Sequence, residues 1–483
     1  MRIKSILLLL FAFFPFIFAS LSSEEEESIF DDPSEDDTDD TDDSDQTPVD
    51  FLEATIGNSQ NFAYYLTTRV GEIVNNAFFV MLVDTGSPWV WIADSDCENC
   101  LFSSTYYGSY DSATANYYNC TSNKRTCSQD KSNLVSLMYD FGMVNAYVGR
   151  EKFSFAGLPL NFSIHTSMFF AHQISEEFYG IQADGVLGLG IDPQTKTSPI
   201  LDFLYNQNVI KNRSFSLYLS NNYLNIDQDA KLVLGGYNPD YMSKTSTEFQ
   251  YAPLVPGVNA WAIQISNFSM GNASLLENPV TAVLSTMFPD IGVPKGYLKL
   301  IVSQLNQKGC DCMIISEYLN PVCRGTVYDM IRFPKLTFEG EGVVLNLTYK
   351  AYVTYITNSN YSGIPLEPGY HIVVGIREIN TTQHNKYYED KWIFGADFQR
   401  FFYILYDQEN SRIGFSLAKN SAVVWERSSL WISGIFTVAI GFTILAVCIL
   451  LFRFCQQYRK LRRESMSVWL REDDEFNGFI EEN

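Results

Sequence analysis

The chain has 483 residues, of which 46% are hydrophobic and 18% charged, and its net charge is −23. This length leaves room for two or three domains around a large core. The only basic cluster follows residue 452, so the composition argues against nucleic-acid binding and we predict no nucleic-acid partner.

The first residues have the layout of a secretory signal peptide. Arg2 and Lys4 precede an apolar stretch over residues 6–18, and the small residues Ala19 and Ser20 follow it. This stretch is too short to span a membrane. We predict a signal peptide over residues 1–20.

The next segment, residues 21–60, is an acidic leader. Fourteen Asp and Glu residues fall between Glu24 and Asp45, and no Lys or Arg occurs between Ser20 and Thr68. Such a segment buries too little apolar surface to offset its ordering entropy. We predict that this leader is disordered.

Residues 62–418 read as all-β, because short runs rich in Val, Ile, Tyr, Phe and Thr alternate with Gly, Asn, Asp and Ser. Helical patterns are few, and the best candidates are residues 200–207 and 295–307. The stretch is too long for one core, so we predict two β-lobes, residues 61–255 and 256–420. The polar stretch 350–391 is predicted to be an extended surface excursion.

A weak internal symmetry supports two lobes. An apolar strand ends at Asp84, and Asp184–Gly190 forms a second apolar strand that closes on glycine. In the other half, a strand ends at Ser285 and is followed by Trp392–Asp397.

The C-terminal region predicts a membrane anchor. Residues 430–452 contain no charge and are long enough to cross about 30 Å of hydrocarbon. Basic residues follow directly, which places residues 453–483 in the cytosol as a tail. We therefore expect a single-pass type I protein with its bulk in the lumen or outside the cell, in the secretory or endolysosomal pathway or at the cell surface.

The glycosylation sequons agree with this topology, because all lie between the predicted signal peptide and the predicted span. They are Asn119, Asn161, Asn212, Asn267, Asn272, Asn346, Asn360 and Asn380.

Seven cysteines precede the predicted span, in a compartment where disulfides persist. The short-loop candidates for disulfide pairs are Cys97 with Cys100 and Cys120 with Cys127. A further group, Cys310, Cys312 and Cys323, leaves an odd thiol, and its pairing stays open. The Cys97-x-x-Cys100 spacing also occurs in redox and zinc sites, but no second close pair or nearby His supports zinc, and we predict no metal.

One motif carries chemistry. Asp84-Thr85-Gly86-Ser87 follows the apolar run at residues 78–83, and a carboxylate on such a turn is half of an acid/base pair. The corresponding place in the second half, after residues 282–284, reads Ser285-Thr286-Met287.

With its flanking segments, this motif resembles the pepsin-like aspartic protease family over residues 62–418. The resemblance implies a bilobal all-β fold with a cleft between the lobes that takes a peptide or protein substrate or ligand, without a cofactor. The segments that carry it are Leu82–Trp91, Ser136–Gly142, Asp184–Gly190, Leu234-Gly235-Gly236, Trp392–Asp397, Tyr406-Asp407 and Arg412–Phe415.

The resemblance also implies roles for residues of the first loop. Asp84 would be the first catalytic carboxylate and Ser87 a hydroxyl hydrogen-bonded to it. Thr85, beside Gly86, would tie the two catalytic loops together, and the retained Thr286 would preserve that tie.

A flap over the cleft is implied as well. Tyr139 would be the flap tyrosine that closes over the substrate, in a segment that ends at Gly142. Trp91 is expected to accept a hydrogen bond from the Tyr139 hydroxyl.

The chain departs from the family pattern at the second loop. Ser285 stands where the second catalytic Asp is expected, so no proton can be shared between carboxylates, and a lone Asp84 should ionise at acidic pH. Met287 replaces a glycine and should crowd the loop. Asp290 should point elsewhere and not substitute for the missing carboxylate.

The acidic leader is a further departure, because family zymogens commonly place a basic segment across the cleft.

Two functions follow from the whole pattern. One is a membrane-anchored aspartic endopeptidase with impaired proteolysis, and the alternative is an inactive peptide-binding protein on the same scaffold. Serine hydrolase chemistry at Ser285 is disfavoured, because no Gly-x-Ser-x-Gly turn frames it.

Overall fold

The fold is mostly β, and its strands alternate between buried and exposed positions, as in β1 (Leu52–Ser59), where every second side chain is buried. The computed structural model describes residues 50–59, 63–72, 78–100, 108–118, 133–139, 142–158, 163–178, 183–220, 230–316, 319–357, 360–361, 364–379, 388–419 and 449–459.

The strands and helices have the following bounds. The remaining strands of the first half are β2 (Ala63–Val70), β3 (Phe78–Asp84), β4 (Val90–Glu98), β5 (Asn116–Tyr117), β6 (Val135–Met138), β7 (Met143–Phe155), β8 (Ile164–Ile174), β9 (Gly185–Gly188), β10 (Ser214–Tyr218), β11 (Ala230–Leu234) and β12 (Gln250–Pro253). Those of the second half are β13 (Ala262–Met270), β14 (Ala273–Ser274), β15 (Val280–Leu284), β16 (Ile291–Val293), β17 (Asp311–Met313), β18 (Val322–Arg324), β19 (Leu336–Gly340), β20 (Val343–Leu347), β21 (Val353–Tyr355), β22 (Asn360–Tyr361), β23 (Ile364–Pro365), β24 (Tyr370–Val374), β25 (Ile376–Glu378), β26 (Trp392–Phe394), β27 (Phe402–Asp407) and β28 (Arg412–Leu417). The helices with defined ends are α1 (Pro199–Asn206), α2 (Tyr297–Gln307), α3 (Tyr349–Tyr352) and α4 (Ala396–Gln399), with 3-10 turns at Glu176–Phe178, Pro239–Tyr241 and Val327–Arg332. The described residues 449–459 are helical as well.

Two large sheets organise these strands. A 14-stranded sheet has the order β12-β28-β27-β10-β11-β1-β2-β3-β9-β4-β8-β7-β5, with β6 paired to β7. An 8-stranded sheet has the order β20-β19-β13-β15-β26-β16-β25, with β14 paired to β13. The predicted lobe boundary at residue 255 lies between β12 and β13, which belong to different sheets. However, β27 and β28 from the end of the predicted second lobe join the first sheet through β10.

The same strand pairing occurs once in each half and places the two loops of interest. β3 pairs in parallel with β9, so that Asp84 lies opposite Gly188. β15 pairs in parallel with β26, so that Leu284 lies opposite Phe394. The internal symmetry seen in the sequence is therefore a structural repeat of strand, loop and parallel partner.

Aromatic side chains join the two halves in one continuous core. Phe215 stacks on Tyr406 at 4.4 Å between ring centroids, and Trp261 packs edge-on against Tyr406 at 5.3 Å. The Trp261 indole N–H donates to the carbonyl of Leu189 across 2.9 Å. These contacts fix the frame under the cleft.

Two predictions of local structure are corrected. The leader was predicted to be disordered through residue 60, but Leu52–Ser59 is a strand paired with both β2 and β11. Buried and more exposed side chains alternate along this segment, as in a strand. A prediction of disorder from composition does not take this alternation into account. The stretch 350–391, which was predicted to be a surface excursion, contains β21, β24 and β25, and β24 is mostly buried. Residues 380–387 of this stretch lie outside the described part. The two predicted helices are present as α1 and α2, within two residues of their predicted starts.

The cysteine pairing left open by the sequence is resolved in part. Cys97 is bonded to Cys100 and Cys312 to Cys323, and Cys310 is a buried free thiol. Cys120 and Cys127 lie outside the described residues.

The predicted signal peptide and the acidic run before Asp50 also lie outside the described residues, as does the predicted span apart from its last four residues, 449–452. Within the described ranges, no helix is long and apolar enough to cross a membrane.

The corrected start of the fold makes a testable prediction. A chain that starts at residue 61 lacks β1 and leaves both β2 and β11 with an unpaired edge, so we expect it to aggregate. A chain that starts at Asp50 keeps β1 and should fold. Soluble yield and thermal unfolding by circular dichroism compare the two, and equal melting of both chains would show that β1 is dispensable.

Candidate functional site

The first loop of the site follows β3 and ends the strand with a buried carboxylate. Asp84 is 1% exposed, and the backbone N–H of Gly86 donates to its Oδ1 across 2.7 Å. A Cβ at Gly86 would lie 2.6 Å from the Ser285 Oγ and 3.1 Å from the Asp84 Oδ1. Only glycine fits between these two side chains, so the loop can approach its counterpart closely.

Reciprocal hydrogen bonds join this loop to the second one. The backbone N–H of Thr85 donates to the Thr286 Oγ1, and the backbone N–H of Thr286 donates to the Thr85 Oγ1, both across 3.1 Å. The Thr85 hydroxyl donates to the carbonyl of Leu284 and the Thr286 hydroxyl to that of Val83, at 3.1 and 2.7 Å. The tie expected between the loops is therefore present.

These four bonds define a two-fold correspondence between the loops. Thr85 matches Thr286, and the two carbonyls that accept from the threonine hydroxyls, those of Leu284 and Val83, match each other. In the first loop, Asp84 stands between the accepting carbonyl residue and the threonine. Ser285 stands at the same place in the second loop. Ser285, 3% exposed, therefore has the position in the second loop that Asp84 has in the first, and both side chains lie beside Gly86.

Met287 lies beside this pair without the crowding expected from its sequence position. Its φ angle is not positive, so a side chain is accommodated without left-handed backbone strain. The half-buried thioether lines the cavity and packs against the apolar cluster that contains Trp91 and Tyr139.

The predicted flap covers the first loop. Tyr139 follows β6 and is buried, and its backbone N–H donates to the carbonyl of Gly142 across 2.8 Å, which closes the turn. Its ring packs edge-on against Trp89 and Phe178, with centroids 5.4 and 5.3 Å apart. Asp140 and Phe141 lie outside the described residues.

The bond between Tyr139 and Trp91 has the opposite direction from the one expected. An indole has a donor and no acceptor, so the Trp91 Nε1–H donates to the Tyr139 hydroxyl oxygen across 2.8 Å. The Ser87 hydroxyl lies 3.5 Å from the same oxygen. The phenol is thereby held above the first loop.

Asp84 ionises at a higher pH than the sequence suggests. Burial raises its pKa to about 6, although hydrogen bonds from Ser87 and Gly86 act in the opposite direction. The sequence shows the loss of a neighbouring charge, which lowers a carboxyl pKa, but it does not show desolvation, which is the larger effect here.

A cavity of about 220 Å³ opens between the two loops and the flap. Sequence reasoning missed the part of its wall formed by Asn259 and Tyr388, because no motif marks either residue. The lining comprises Asp84, Gly86, Ser87, Pro88, Trp89, Met138, Tyr139, Ile191, Pro193, Asn259, Ser285, Met287 and Tyr388. Among these described lining residues, Asp84 is the single carboxylate, and there is no Lys, Arg or His.

Asp290 lies outside this cavity, as expected. It pairs with Arg377 at 3.1 Å, and the Arg377 guanidinium also lies 4.4 Å from the centre of the Phe288 ring. Burial raises the pKa of Asp290, and it raises that of Asp397, which pairs with Arg400, to about 6. This group anchors the segment after Ser285 and supplies no second carboxylate to the cavity.

Comparison with known proteins identifies the scaffold. A family model for eukaryotic aspartyl proteases matches residues 63–418. Renin-2 of Mus musculus is 24% identical over 369 residues, which cover 75% of this chain and 81% of renin-2. Renin of Ovis aries is 25% identical over 71% of this chain and 77% of its own length. Plasmepsin VII of Plasmodium falciparum is 23% identical over 75% of this chain and 80% of its own length.

The threonine bonds predict a stability effect. Thr286→Val keeps the shape but leaves the Thr85 N–H and the Val83 carbonyl buried without a partner. We expect a loss of at least about 2 kcal/mol in the free energy of unfolding. Thr195→Val, at an exposed hydroxyl that accepts from Thr197, is the matched control and should change stability by less than about 0.5 kcal/mol. Equal effects of the two substitutions in denaturant unfolding would contradict the structural role of the tie.

The raised pKa of Asp84 predicts a pH dependence of stability. A carboxyl whose folded-state pKa lies above its unfolded value favours folding at low pH, and this contribution is lost as the pH rises from 3.8 to about 6. We expect Asp84→Asn to remove about 3 kcal/mol of this variation. The unfolding free energies of the two proteins, measured across this range, give the Asp84 contribution by difference, since Asp290 and Asp397 titrate in both. A constant difference would contradict the assignment.

Proposed function

Because the chain belongs to the eukaryotic aspartyl protease family, we propose that its cleft binds peptide or protein segments but hydrolyses peptide bonds poorly or not at all. The observation that carries this proposal is the two-fold correspondence around Thr85 and Thr286, which gives Ser285 the position in the second loop that Asp84 has in the first. We infer that Ser285 occupies the place of the second catalytic carboxylate.

The chemistry of peptide hydrolysis explains the expected loss. Two adjacent carboxylates share a proton, so that one takes a proton from water while the other donates to the peptide carbonyl. A serine hydroxyl does not titrate near working pH and cannot exchange these roles. Loss of one positioned acid/base group costs typically ~10²–10⁴-fold in rate.

The ionisation of Asp84 adds to this loss. With a pKa of about 6, the carboxyl is protonated over much of the acidic range and cannot act as a base there. Above that range it is ionised and cannot act as an acid. A lone Asp84 therefore supplies one of the two required forms at any pH.

Residual endopeptidase activity is the second candidate function. The intact first loop, the flap bond between Trp91 and Tyr139, and the tie between the loops favour it. Hydrolysis through Ser285 as a nucleophile is disfavoured, because no histidine is among the described residues that line the cavity.

The topology belongs to the same proposal. A signal peptide, a span at residues 430–452 and sequons confined between them support a type I membrane protein of the secretory or endolysosomal pathway or the cell surface. The acidic leader offers no Lys or Arg to neutralise Asp84, which suits a cleft that needs no zymogen restraint.

A cleavage assay tests the function. The purified lumenal segment should show no pepstatin-sensitive cleavage of unfolded protein between about pH 3 and pH 7. Robust cleavage that Asp84→Ala abolishes would overturn the proposal and establish the endopeptidase.

Restoration of the second carboxylate tests the reason for inactivity. Ser285→Asp combined with Met287→Gly should raise cleavage by about 10²-fold or more, because it recreates the proton-sharing pair. The matched control, Ser285→Asn with Met287→Gly, has nearly the same shape without the charge and should remain inactive. Equal rates in the two double variants would show that the pair is not what the cleft lacks.

A further inference from the structure

The chain leaves the described fold at Lys419, the last described residue before the predicted span at residues 430–452. The backbone N–H of Lys419 donates to the carbonyl of Tyr241 across 2.8 Å, and Ala418 forms a β-bridge with Met242. The point where the chain leaves is therefore fixed against this segment.

Partly exposed aromatic side chains surround this point, and we call Tyr237, Tyr241, Phe249 and Tyr251 the exit surface. The Phe249 ring lies 5.0 Å from that of Tyr237 and 5.9 Å from that of Tyr251. The buried Tyr403 ring lies 5.8 Å from both Tyr241 and Phe249, which joins the four side chains into one cluster. Contiguous aromatic groups that are not fully covered mark interaction sites.

The exit surface has the chemistry of a membrane interface. Tyrosine is enriched where lipid headgroups meet hydrocarbon, because its ring is apolar and its hydroxyl is polar. The Arg412 guanidinium lies 3.8 Å from the centre of the Tyr251 ring. Such a side chain covers apolar surface with its stem and keeps its charge in water. The cluster is therefore amphipathic and not simply apolar.

The charges at the exit surface balance, because Arg412 pairs with Asp407 at 2.8 Å and the exposed charged residues comprise two of each sign. These exposed residues are Lys244, Lys419, Asp240 and Glu248. A surface without net charge gains little from anionic lipid. It suits the headgroups of a zwitterionic bilayer.

The predicted span lies within short reach of this surface. Residue 430 is eleven positions after Lys419, and a fully extended chain of that length covers at most about 40 Å. A fold of the size of residues 50–419 is roughly 50 Å across. The face remote from Lys419 therefore lies beyond the reach of this connection, whereas the exit surface does not.

We propose that the exit surface rests on the membrane that anchors the chain, with its aromatic rings among the headgroups of a zwitterionic bilayer. The inference rests on the anchored topology proposed above and adds a second contact with the membrane to the single span. A second copy of the chain or a protein partner would have to enter the gap between the fold and its own bilayer, which favours lipid as the occupant.

This contact places the cleft on the side away from the bilayer. Tyr403 and Tyr406 are three residues apart in β27 and therefore lie on opposite faces of that strand. Tyr406 stacks on Phe215 in the frame under the cleft, and its hydroxyl interacts with Thr85 of the first loop. Tyr403, on the other face, supports the exit surface. The cleft is therefore open to ligands from the aqueous side.

Photocrosslinking of the full chain, reconstituted in phosphatidylcholine vesicles, tests the inference. The variant Tyr237→p-benzoylphenylalanine keeps an aromatic ring at the position that is 42% exposed, the most exposed of the four. On irradiation, the benzophenone couples to a neighbouring C–H group, and mass spectrometry identifies the coupled molecule. We expect phospholipid adducts at this position.

The matched control is Tyr328→p-benzoylphenylalanine, which places the same probe at a tyrosine that is 85% exposed. Tyr328 lies on the turn that leads into β19 at Leu336, whereas Tyr251 lies against the other end of the β19–β20 hairpin, at Gly342. We expect lipid adducts to be at least about tenfold more frequent at residue 237 than at residue 328.

Equal adduct frequencies at the two positions would overturn the inference, and so would adducts of residue 237 with a second copy of the chain in place of lipid. Replacement of about a third of the lipid by phosphatidylserine should change the frequency by less than about twofold, because the exit surface has no net charge. A rise of about tenfold would show an electrostatic contact with anionic lipid and would contradict the proposed one.

The anchor and the contact are read separately. A chain with the predicted span floats with the vesicles through a density gradient after an alkaline wash. A chain that stays in the soluble fraction would refute both the topology and the contact, whereas a floating chain with equal adduct frequencies would refute the contact alone. Hydrolysis is reported by the cleavage assay and is independent of either result.

Discussion

The reciprocal bonds between Thr85 and Thr286 are the constraint on which the site depends. They join backbone and hydroxyl groups 201 residues apart in the chain, in a buried setting where a lost partner would leave an unsatisfied polar group. Each loop is therefore fixed by the other, and Asp84 and Ser285 hold matching positions in the two loops, both beside Gly86. Gly86 completes the arrangement, because any larger residue would strike Ser285.

This constraint separates the scaffold from the chemistry. The tie uses threonines and backbone groups and needs neither carboxylate, so the serine that we propose to stand in place of the second carboxylate would remove the proton-sharing pair without loosening the loops. Met287 shows the same independence, because its backbone is unstrained and its side chain fills space beside the flap cluster. A cleft of this design can lose hydrolysis and keep its shape for binding.

Local patterns in the sequence predicted the parts of the site that lie on one loop or one strand. An apolar strand that ends in Asp84 or Ser285, followed in each half by an apolar strand that closes on glycine, predicted two matching halves, and the structure pairs these strands in parallel. The tie between the loops was implied by the family resemblance. Features that depend on distant segments were not predictable in this way. Strand β1 is stabilised by pairing with β11, nearly two hundred residues away, and the cavity wall at Tyr388 comes from a segment without a motif.

The pKa of Asp84 shows why burial has to be known before the chemistry can be assigned. Sequence alone identifies the neighbours of a carboxyl group but not the water removed from it. Two other buried carboxylates face arginines, since Asp290 pairs with Arg377 and Asp407 with Arg412. Asp94 is held by hydroxyl and backbone donors, away from the cavity. Asp84 is likewise held by uncharged donors, but it also lines the cavity, and its protonation therefore bears directly on what the cleft can do.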